Sequence, residues 1–218
     1  MVNKLKESIQ VFAQNAILLS GTYRIYIDPF QIPDKFMDAD FIFITHPHWD
    51  HFSLLDVLKV RNAETRFLVP KEIFEELLDI GISEEQICIV KPNQNYQFDR
   101  LGVKTFPAYN LKKNHHLKEK EWVGYYIAMD DVTYYVAGDT DAIPEVKLVK
   151  ADVVFLPVGG TYTMNYIEAA TLANHIKPHL AIPTHYLSVV GSLDDAKRFC
   201  KRVNMGIDTN IFYDKKGD

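Results

Sequence analysis

Short apolar stretches separated by polar and turn-forming residues recur along the whole chain. Residues 40–45 are apolar, β-branched and aromatic, which predicts a buried strand, and residues 153–158 and 180–186 repeat this pattern. Residues 165–176 predict a helix, because they open on Asn165 with a glutamate three residues later, as in a capping box. The other predicted strands are 9–19, 23–27, 66–69, 86–90, 96–98, 103–106, 122–129, 132–137 and 211–213, and the other predicted helices are 54–60, 71–79 and 194–203.

These elements fall into two halves of the chain, and in each half strands come first and helices follow. No internal repeat, low-complexity tract or linker separates the halves. We therefore expect a single domain over residues 1–218.

The segment 46–51, which reads His-Pro-His-Trp-Asp-His, follows the first of these buried strands. Pro47 stops the strand from continuing, so the histidines lie on a turn at its C-terminal end, where α/β folds commonly place their chemistry. Neutral imidazole and carboxylate groups are ligands for zinc, iron or manganese. A histidine-rich surface turn is the alternative interpretation, but this concentration of ligands directly after a buried strand favours a metal site.

The spacing within this segment predicts two ions. His46 and His48 are two residues apart, so in an extended chain their side chains point the same way. Asp50 and His51 are adjacent and cannot both join that pair at one small ion. Two ligand pairs therefore indicate two divalent ions side by side.

Two further candidate ligands stand at the ends of later strands. Asp139 follows the strand 132–137 beside Gly138, and a glycine there lets another backbone approach closely, which suits a bridging carboxylate. His185 repeats the order of apolar strand followed by histidine. Asp141, by contrast, is expected to cap a short helix after residue 141.

Together these motifs resemble the metallo-β-lactamase superfamily, and the resemblance covers nearly the whole chain, from an Asp-Pro at 28–29 through the HxHxDH run at 46–51 and the Gly-Asp-Thr at 138–140 to His185. It implies an α/β protein with a four-layer αββα sandwich and a metal site at the seam of two mixed sheets. It also implies two divalent metal ions, with zinc expected first and manganese or iron as alternatives.

The same resemblance implies a ligand set. His46 and His48 would hold one ion, Asp139 would bridge, and Asp50 and Asp139 would be the catalytic residues. The second ion would be held by Asp50, His51 and His185.

One position departs from the general pattern of the superfamily, which usually has another histidine ligand where Tyr109 and Asn110 stand here. The chain is more similar to a branch that includes ascorbate-6-phosphate lactonase-like proteins, in which a loop histidine follows. This predicts His116 as the third ligand of the first ion and His115 as a loop residue, and the choice between the two histidines stays open.

The residues around the ligands are expected to form the pocket. Tyr109, Asn110 and Tyr186 are candidates for substrate contacts, and the glycine-bearing loop 159–165 for a wall of the site. Asp28 either accepts a hydrogen bond from a ligand histidine or holds its own turn, and the sequence does not decide between these roles.

Composition limits the other classes of function. The 218 residues carry a net charge of −5, which argues against a nucleic-acid partner and leaves a small-molecule substrate. No apolar run reaches the ~20 residues of a membrane span, and residues 1–10 lack the core of a signal peptide. With only two cysteines, far apart, a cytoplasmic protein is expected. Whether it forms a homo-oligomer stays open.

We therefore predict a metal-dependent hydrolase that cleaves an ester-like bond with a metal-bound hydroxide. A lactonase for a phosphorylated sugar acid is the nearest alternative. A phosphodiesterase or nuclease would need a basic face, and only four lysines of the loop 112–120 cluster. A di-iron redox protein is a third alternative, but the relatives of that class place a glutamate where His48 stands.

Overall fold

The computed structural model describes residues 2–213, apart from the side chain of Lys4, and these residues form two β-sheets with helices on their outer faces. The first sheet contains, in spatial order, β1 (Ile9–Val11), β2 (Ile17–Ser20), β3 (Arg24–Ile27), β4 (Ala39–Phe43), β5 (Arg61–Val69) and β6 (Ile87–Ile89). The second contains β7 (Asn95–Phe98), β8 (Leu101–Pro107), β9 (Val123–Met129), β10 (Val132–Val136), β11 (Val153–Pro157), β12 (Leu180–Thr184) and β13 (Asp208–Thr209), again in chain order.

Both sheets are mixed, and in both the early strands pair antiparallel and the later strands parallel. In the first sheet the pairing is antiparallel up to β3 and parallel from β3 to β6. In the second it is antiparallel up to β10 and parallel from β10 to β13. Because β8 and β10 are both antiparallel to β9, they run in the same direction, so the strands β8, β10, β11 and β12 all end at one edge.

The helices complete the layers. They are α1 (Val2–Glu7), α2 (Leu54–Val60), α3 (Phe74–Asp79), α4 (Tyr166–Ile176) and α5 (Leu193–Arg202), with short 3₁₀ helices at Lys71–Ile73, Glu84–Gln86, Lys118–Lys120 and Glu145–Leu148. Asn165 and Glu168 form the predicted capping box at the start of α4. None of the helices within residues 2–213 has the length and hydropathy that crossing a membrane requires.

Alternating side chains fix which face of each strand is buried against which layer. In β3, Ile25 and Ile27 lie in the core between the sheets, whereas Tyr26 packs with the helices outside the first sheet. In β11, Phe155 faces the same central core and Leu156 faces the helices outside the second sheet. This period of two gives both sheets two buried faces, and the predicted four-layer αββα sandwich is confirmed.

Two predicted strands are wrong in their details. The stretch 9–19 is interrupted after β1, where Phe12 N–H donates to Ala16 O across a tight turn. Gln14 in that turn has φ of +51°, a left-handed conformation that a continuous strand cannot contain. At the other end of the chain, the last strand is β13 rather than 211–213, because only residues 208–209 pair with β12.

Candidate metal centre

The candidate ligands meet at the edge where the strands of the second sheet end, opposite the turn that follows β4. His46, His48, Asp50 and His51 come from that turn, and the others come from the loops after β8, β10 and β12. The two sides are joined directly, since Val123 N–H donates to Thr45 O at 3.2 Å. Gly138 makes this approach possible, because a Cβ at that position would lie 3.1 Å from the Thr45 Cβ.

Seven side chains form three overlapping groups whose ligand atoms lie within 4.8 Å of one another in each group. These groups are His46, His48 and His116; His46, His51 and Asp139; and Asp50, His51 and His185. The structure therefore brings together all of the metal ligands expected from the sequence, and the loop histidine that reaches the cluster is His116 rather than His115.

Asp139 lies between the two outer groups. Its Oδ2 is 3.3 Å from His116 Nε2 and 3.0 Å from His185 Nε2, and its Oδ1 is 3.3 Å from His51 Nε2. One carboxylate thus faces imidazoles from both sets, which is the position a bridging ligand requires.

Neighbouring acceptors fix the orientation of three imidazoles. The distance from Nδ1 to the nearest oxygen is 3.0 Å from His46 to Thr45 Oγ1, 2.7 Å from His51 to Asp28 Oδ2, and 3.2 Å from His116 to Asn110 Oδ1. An Nδ1–H donated to these oxygens turns each Nε2 toward the centre, where it can bind a metal once it carries no proton.

Asp28 makes several of the hydrogen bonds around the candidate ligands. Its contacts decide whether it accepts a hydrogen bond from a histidine or only holds its own turn. It accepts hydrogen bonds from Thr45 N–H and Thr45 Oγ1, each at 2.7 Å, and from Asn15 Nδ2 at 2.7 Å, in addition to His51. It is fully buried. Asp28 therefore supports a candidate ligand histidine instead of only holding its own turn.

Sequence reasoning missed the contribution of Gln14 and Asn15. Gln14 Nε2 donates to Asp50 Oδ2 at 3.1 Å, and Gln14 O accepts from His185 N–H at 2.8 Å. The only signal was two consecutive amides inside an otherwise apolar stretch. The turn that breaks the predicted first strand thus positions Asp50 and His185, two candidate ligands of the group that also contains His51.

Several buried polar atoms at the centre lie 3.0–3.3 Å from another candidate ligand atom but make no hydrogen bond within the described residues, which tests whether a metal fits. They are His51 Nε2, His116 Nε2, His185 Nε2 and Asp139 Oδ1. Leaving a buried polar group unpaired costs ~1–3 kcal/mol, so four such atoms converging on one space need a common partner. Imidazole nitrogens and a carboxylate oxygen form a suitable donor set for divalent zinc, manganese or iron.

The group of His46, His48 and His116 and the group of Asp50, His51 and His185 differ in charge in the metal-free protein. Burial lowers the pKa of His46 and of His48, so both are neutral near pH 7. Burial alone would also lower the pKa of His185, but the Asp139 carboxylate outweighs it and raises that pKa to about 9. His51 behaves alike: burial opposes its charge, yet Asp139 and Asp28 raise its pKa well above the usual value.

The carboxylates respond in the opposite direction. Burial would raise the pKa of Asp139, but the charged His185 and His51 hold it well below the usual value. Burial likewise opposes ionisation of Asp50, but His185, whose Nε2 lies 3.5 Å from Asp50 Oδ2, nevertheless lowers its pKa to about 2. Both acids are therefore ionised at neutral pH and available as ligands.

A cavity of about 330 Å³ opens onto the centre. Trp49 forms one side, 64% exposed and with its ring edge-on to Phe30 at 5.5 Å, and Tyr162 and His115 form another, with ring centroids 4.7 Å apart. The cavity is lined by His48, Trp49, Asp50, His115, His116, Asp139, Tyr162 and Val189. No lysine or arginine is among these lining residues.

The residues expected to contact substrate lie elsewhere. Tyr186 is 1% exposed and donates to Tyr213 O at 2.6 Å, and the Tyr109 hydroxyl donates to Glu145 at 3.1 Å. Asn110 is turned toward His116. None of the three is among the residues that line the cavity, so their contact with substrate stays a prediction.

The role predicted for Asp141 is also wrong. It does not cap the following 3₁₀ helix, whose N-cap is Pro144. Its carboxylate accepts from Leu111 N–H at 2.8 Å and from Lys113 Nζ at 2.6 Å, because the loop after β8 folds back over it.

Comparison with known proteins gives consistent matches. A family model described as "Beta-lactamase superfamily domain" matches residues 8–185. The chain is 30% identical to a UPF0173 metal-dependent hydrolase of Methanoregula boonei over 90% of this chain and 89% of that protein. It is 29% identical to one of Pyrococcus horikoshii over 82% of this chain and 84% of that protein. The structure of Igni18, a metallo hydrolase of Ignicoccus hospitalis, has a TM-score of 0.75 at 23% identity and covers 93% of each chain.

Proposed function

Because this chain belongs to the β-lactamase superfamily and is a metal-dependent hydrolase, we propose that it binds two divalent ions and uses them to hydrolyse an ester-like bond in a small molecule. The observation that carries this proposal is the convergence of seven ligand side chains in which four buried polar atoms lack a hydrogen bond. His46, His48 and His116 would hold one ion, Asp50, His51 and His185 the other, and Asp139 both.

The donor types support zinc at the first position. Three imidazoles with a shared carboxylate form a nitrogen-rich set, which suits zinc better than the oxygen-rich sites of magnesium or calcium. The second group is more anionic, and with two carboxylates it also accommodates manganese or iron.

When bound, such ions lower the pKa of a coordinated water and polarise the attacked bond. The chain's own residues do the rest. Asp139 keeps His51 and His185 in place through its two oxygens. Asp50 lines the cavity and is ionised, with a pKa of about 2, so it can accept a hydrogen bond from the attacking water and orient it.

The lining of the cavity supports an uncharged ester or lactone. Trp49, Tyr162 and Val189 offer aromatic and apolar surface, and no described lining residue carries a side-chain ammonium or guanidinium group that would pair with a phosphate. The nearest lysines of the loop are already engaged, Lys113 with Asp141 at 2.6 Å and Lys118 with Glu145 at 3.3 Å. Neither the phosphorylated lactone nor the phosphodiester is favoured by these contacts.

The test combines elemental analysis with a substrate panel. Protein loaded with zinc, and separately with manganese, would be assayed on aryl esters, neutral lactones, phosphorylated lactones and aryl phosphodiesters. We expect turnover of the neutral esters or lactones, and we expect Asp50→Asn to lose it. A protein that turns over only the phosphodiester would contradict the proposed bond class, and one that never takes up metal would contradict the proposal as a whole.

A further inference from the structure

The loop between β8 and β9 brings His116 to the centre although the loop around it is exposed. Lys112 and His115 are exposed, whereas His116 is 1% exposed. Sequence spacing alone does not produce this arrangement, because the loop must turn one side chain inward and keep its neighbours outside. Specific bonds within the loop account for the turn.

Asn110 closes the loop onto His116. Its backbone N–H donates to His116 O at 2.8 Å, and its Oδ1 accepts from His116 N–H at 3.1 Å and lies 3.2 Å from His116 Nδ1. The same amide donates through Nδ2 to Tyr162 O at 2.8 Å and to Asp141 Oδ1 at 3.3 Å. One buried side chain thus sets both the position and the tautomer of the histidine.

Bonds of Lys113 and Asp141 on the outer side of the loop stabilise the conformation in which Asn110 contacts His116. Lys113 Nζ lies 2.6 Å from Asp141 Oδ1 and donates to Thr163 O at 2.7 Å. Asp141 Oδ2 accepts from Leu111 N–H at 2.8 Å. Asp141 also stands two residues after Asp139, so these bonds join the loop of His116 to the segment that carries the bridging carboxylate.

Because this ion pair is partly buried, it contributes more to the stability of the loop conformation than a surface pair would. The side chain of Asp141 is 10% exposed and that of Lys113 is 27% exposed. In such a setting the loss of one partner leaves the other desolvated and unpaired, whereas an exposed pair contributes little. Removing the lysine would therefore leave Asp141 with its bonds from Leu111 N–H and Asn110 Nδ2 but without its charged partner, and would weaken its support of Asn110.

We propose that Lys113 and Asp141 form a latch that acts through Asn110 to position His116 as the third ligand of the first ion. The latch rests on the proposed dinuclear function, and its members are positioning residues that touch neither ion nor substrate. The candidate third ligand, His116, thus comes from the loop after β8 and not from the position directly after the strand. Its place depends on the ion pair of Lys113 and Asp141. Opening it would remove His116 from the cavity wall and weaken the first site alone.

The main experiment compares Lys113→Met with Lys112→Met, its exposed neighbour in the same loop. Metal affinities would be measured by competition with a chromophoric chelator, starting from metal-free protein. Lys113→Met should weaken one of the two sites about tenfold or more and leave the other unchanged, and Lys113→Arg should restore most of the affinity. Lys112→Met should match the wild type at both sites.

A second readout does not depend on metal. In imidazole ¹H–¹⁵N correlation spectra of the metal-free protein, wild type and Lys112→Met should show His116 protonated at Nδ1, and Lys113→Met should show exchange between tautomers. Unchanged affinities together with an unchanged His116 tautomer in Lys113→Met would overturn the latch. Equal loss at both sites with a lowered melting temperature would also overturn it in favour of general stabilisation. If the wild type binds fewer than two ions, the dinuclear function fails, and the tautomer comparison alone decides whether the latch positions His116.

Discussion

His51 Nδ1 lies 2.7 Å from Asp28 Oδ2, and both side chains are fully buried. The two residues are 23 positions apart and come from the ends of neighbouring parallel strands, β3 and β4. The pair explains why an aspartate outside the candidate ligand set matters to the candidate metal centre: its carboxylate accepts from the outer nitrogen of His51 and so turns Nε2 toward the other candidate ligands.

Asp28→Asn should therefore weaken the second site more than the first. The amide keeps the shape but turns an NH₂ group toward donors, so His51 loses its charge-assisted bond. We expect metal affinity at the site of Asp50, His51 and His185 to fall about 10–100-fold, with a loss of ~1–3 kcal/mol in the free energy of unfolding from unpaired buried groups. Chelator competition and thermal unfolding measure the two effects, with exposed Asp34→Asn as the control. Unchanged affinity in Asp28→Asn would show that His51 needs no support.

Asp139→Ala tests the bridge. Because Asp139 faces imidazoles of both groups, its removal should reduce bound metal from about two ions to one or fewer and bring hydrolysis to the background rate. The fold should persist, since the cores between and outside the sheets are built from other residues. Circular dichroism and elemental analysis on the same sample would check this, and full metal content with near-native turnover would show that Asp139 is no bridge.

Much of the fold could be predicted from local patterns. The buried strands β4, β11 and β12 are short apolar runs whose alternate residues face two different cores, and a helix start such as Asn165 is marked by its own capping bonds. Ligands at positions 46–51 are consecutive in sequence, so their proximity needed no knowledge of tertiary structure.

The rest depended on contacts between distant residues. Gln14 meets Asp50 across 36 positions, and nothing in the stretch 9–19 indicates that its turn reaches another loop. His116 and His115 have similar sequence surroundings, and only the bonds from Asn110 separate them. Tyr186 was predicted to contact substrate because it adjoins His185, but its side chain packs in the core outside the second sheet, and its hydroxyl donates to Tyr213 O, 27 positions away.

Metal binding should release protons. His185 has a pKa of about 9 in the metal-free protein, and the pKa of His51 is also raised. Both rings are therefore in the charged form, protonated at both nitrogens, at about pH 7.5. A coordinated imidazole must be neutral, so filling the second site should release roughly one to two protons, and the affinity should rise with pH up to about 9. Histidines of ordinary pKa, near 6.5, would release almost none at about pH 7.5.

Calorimetric titration in buffers of different ionisation enthalpy counts these protons. The exposed His179→Gln variant should release the same number as the wild type, since that ring is distant from the ligand groups in the described structure. Zero release at about pH 7.5 would mean that Asp139 does not hold the two imidazoles in their charged form.

Trp49 tests the part of the proposal that concerns substrate. Its ring is 64% exposed at the cavity and packs edge-on against Phe30, and the residue belongs to the turn 46–51 without being a candidate ligand. An aromatic surface in this position buries the apolar part of a substrate equally in the ground state and in the transition state. Trp49→Ala should therefore raise KM for aryl esters about tenfold, or ~1.4 kcal/mol, and leave kcat and metal content nearly unchanged.

The matched control is Leu55→Ala, since Leu55 is 75% exposed on α2 and does not line the cavity. It should leave KM and kcat as in the wild type. The effect of Trp49→Ala should also shrink for small aliphatic esters, because they have less apolar surface to lose. A fall in kcat with unchanged KM would instead mean that Trp49 orders the turn 46–51, and equal losses for aryl and aliphatic esters would show that the ring contributes no binding surface.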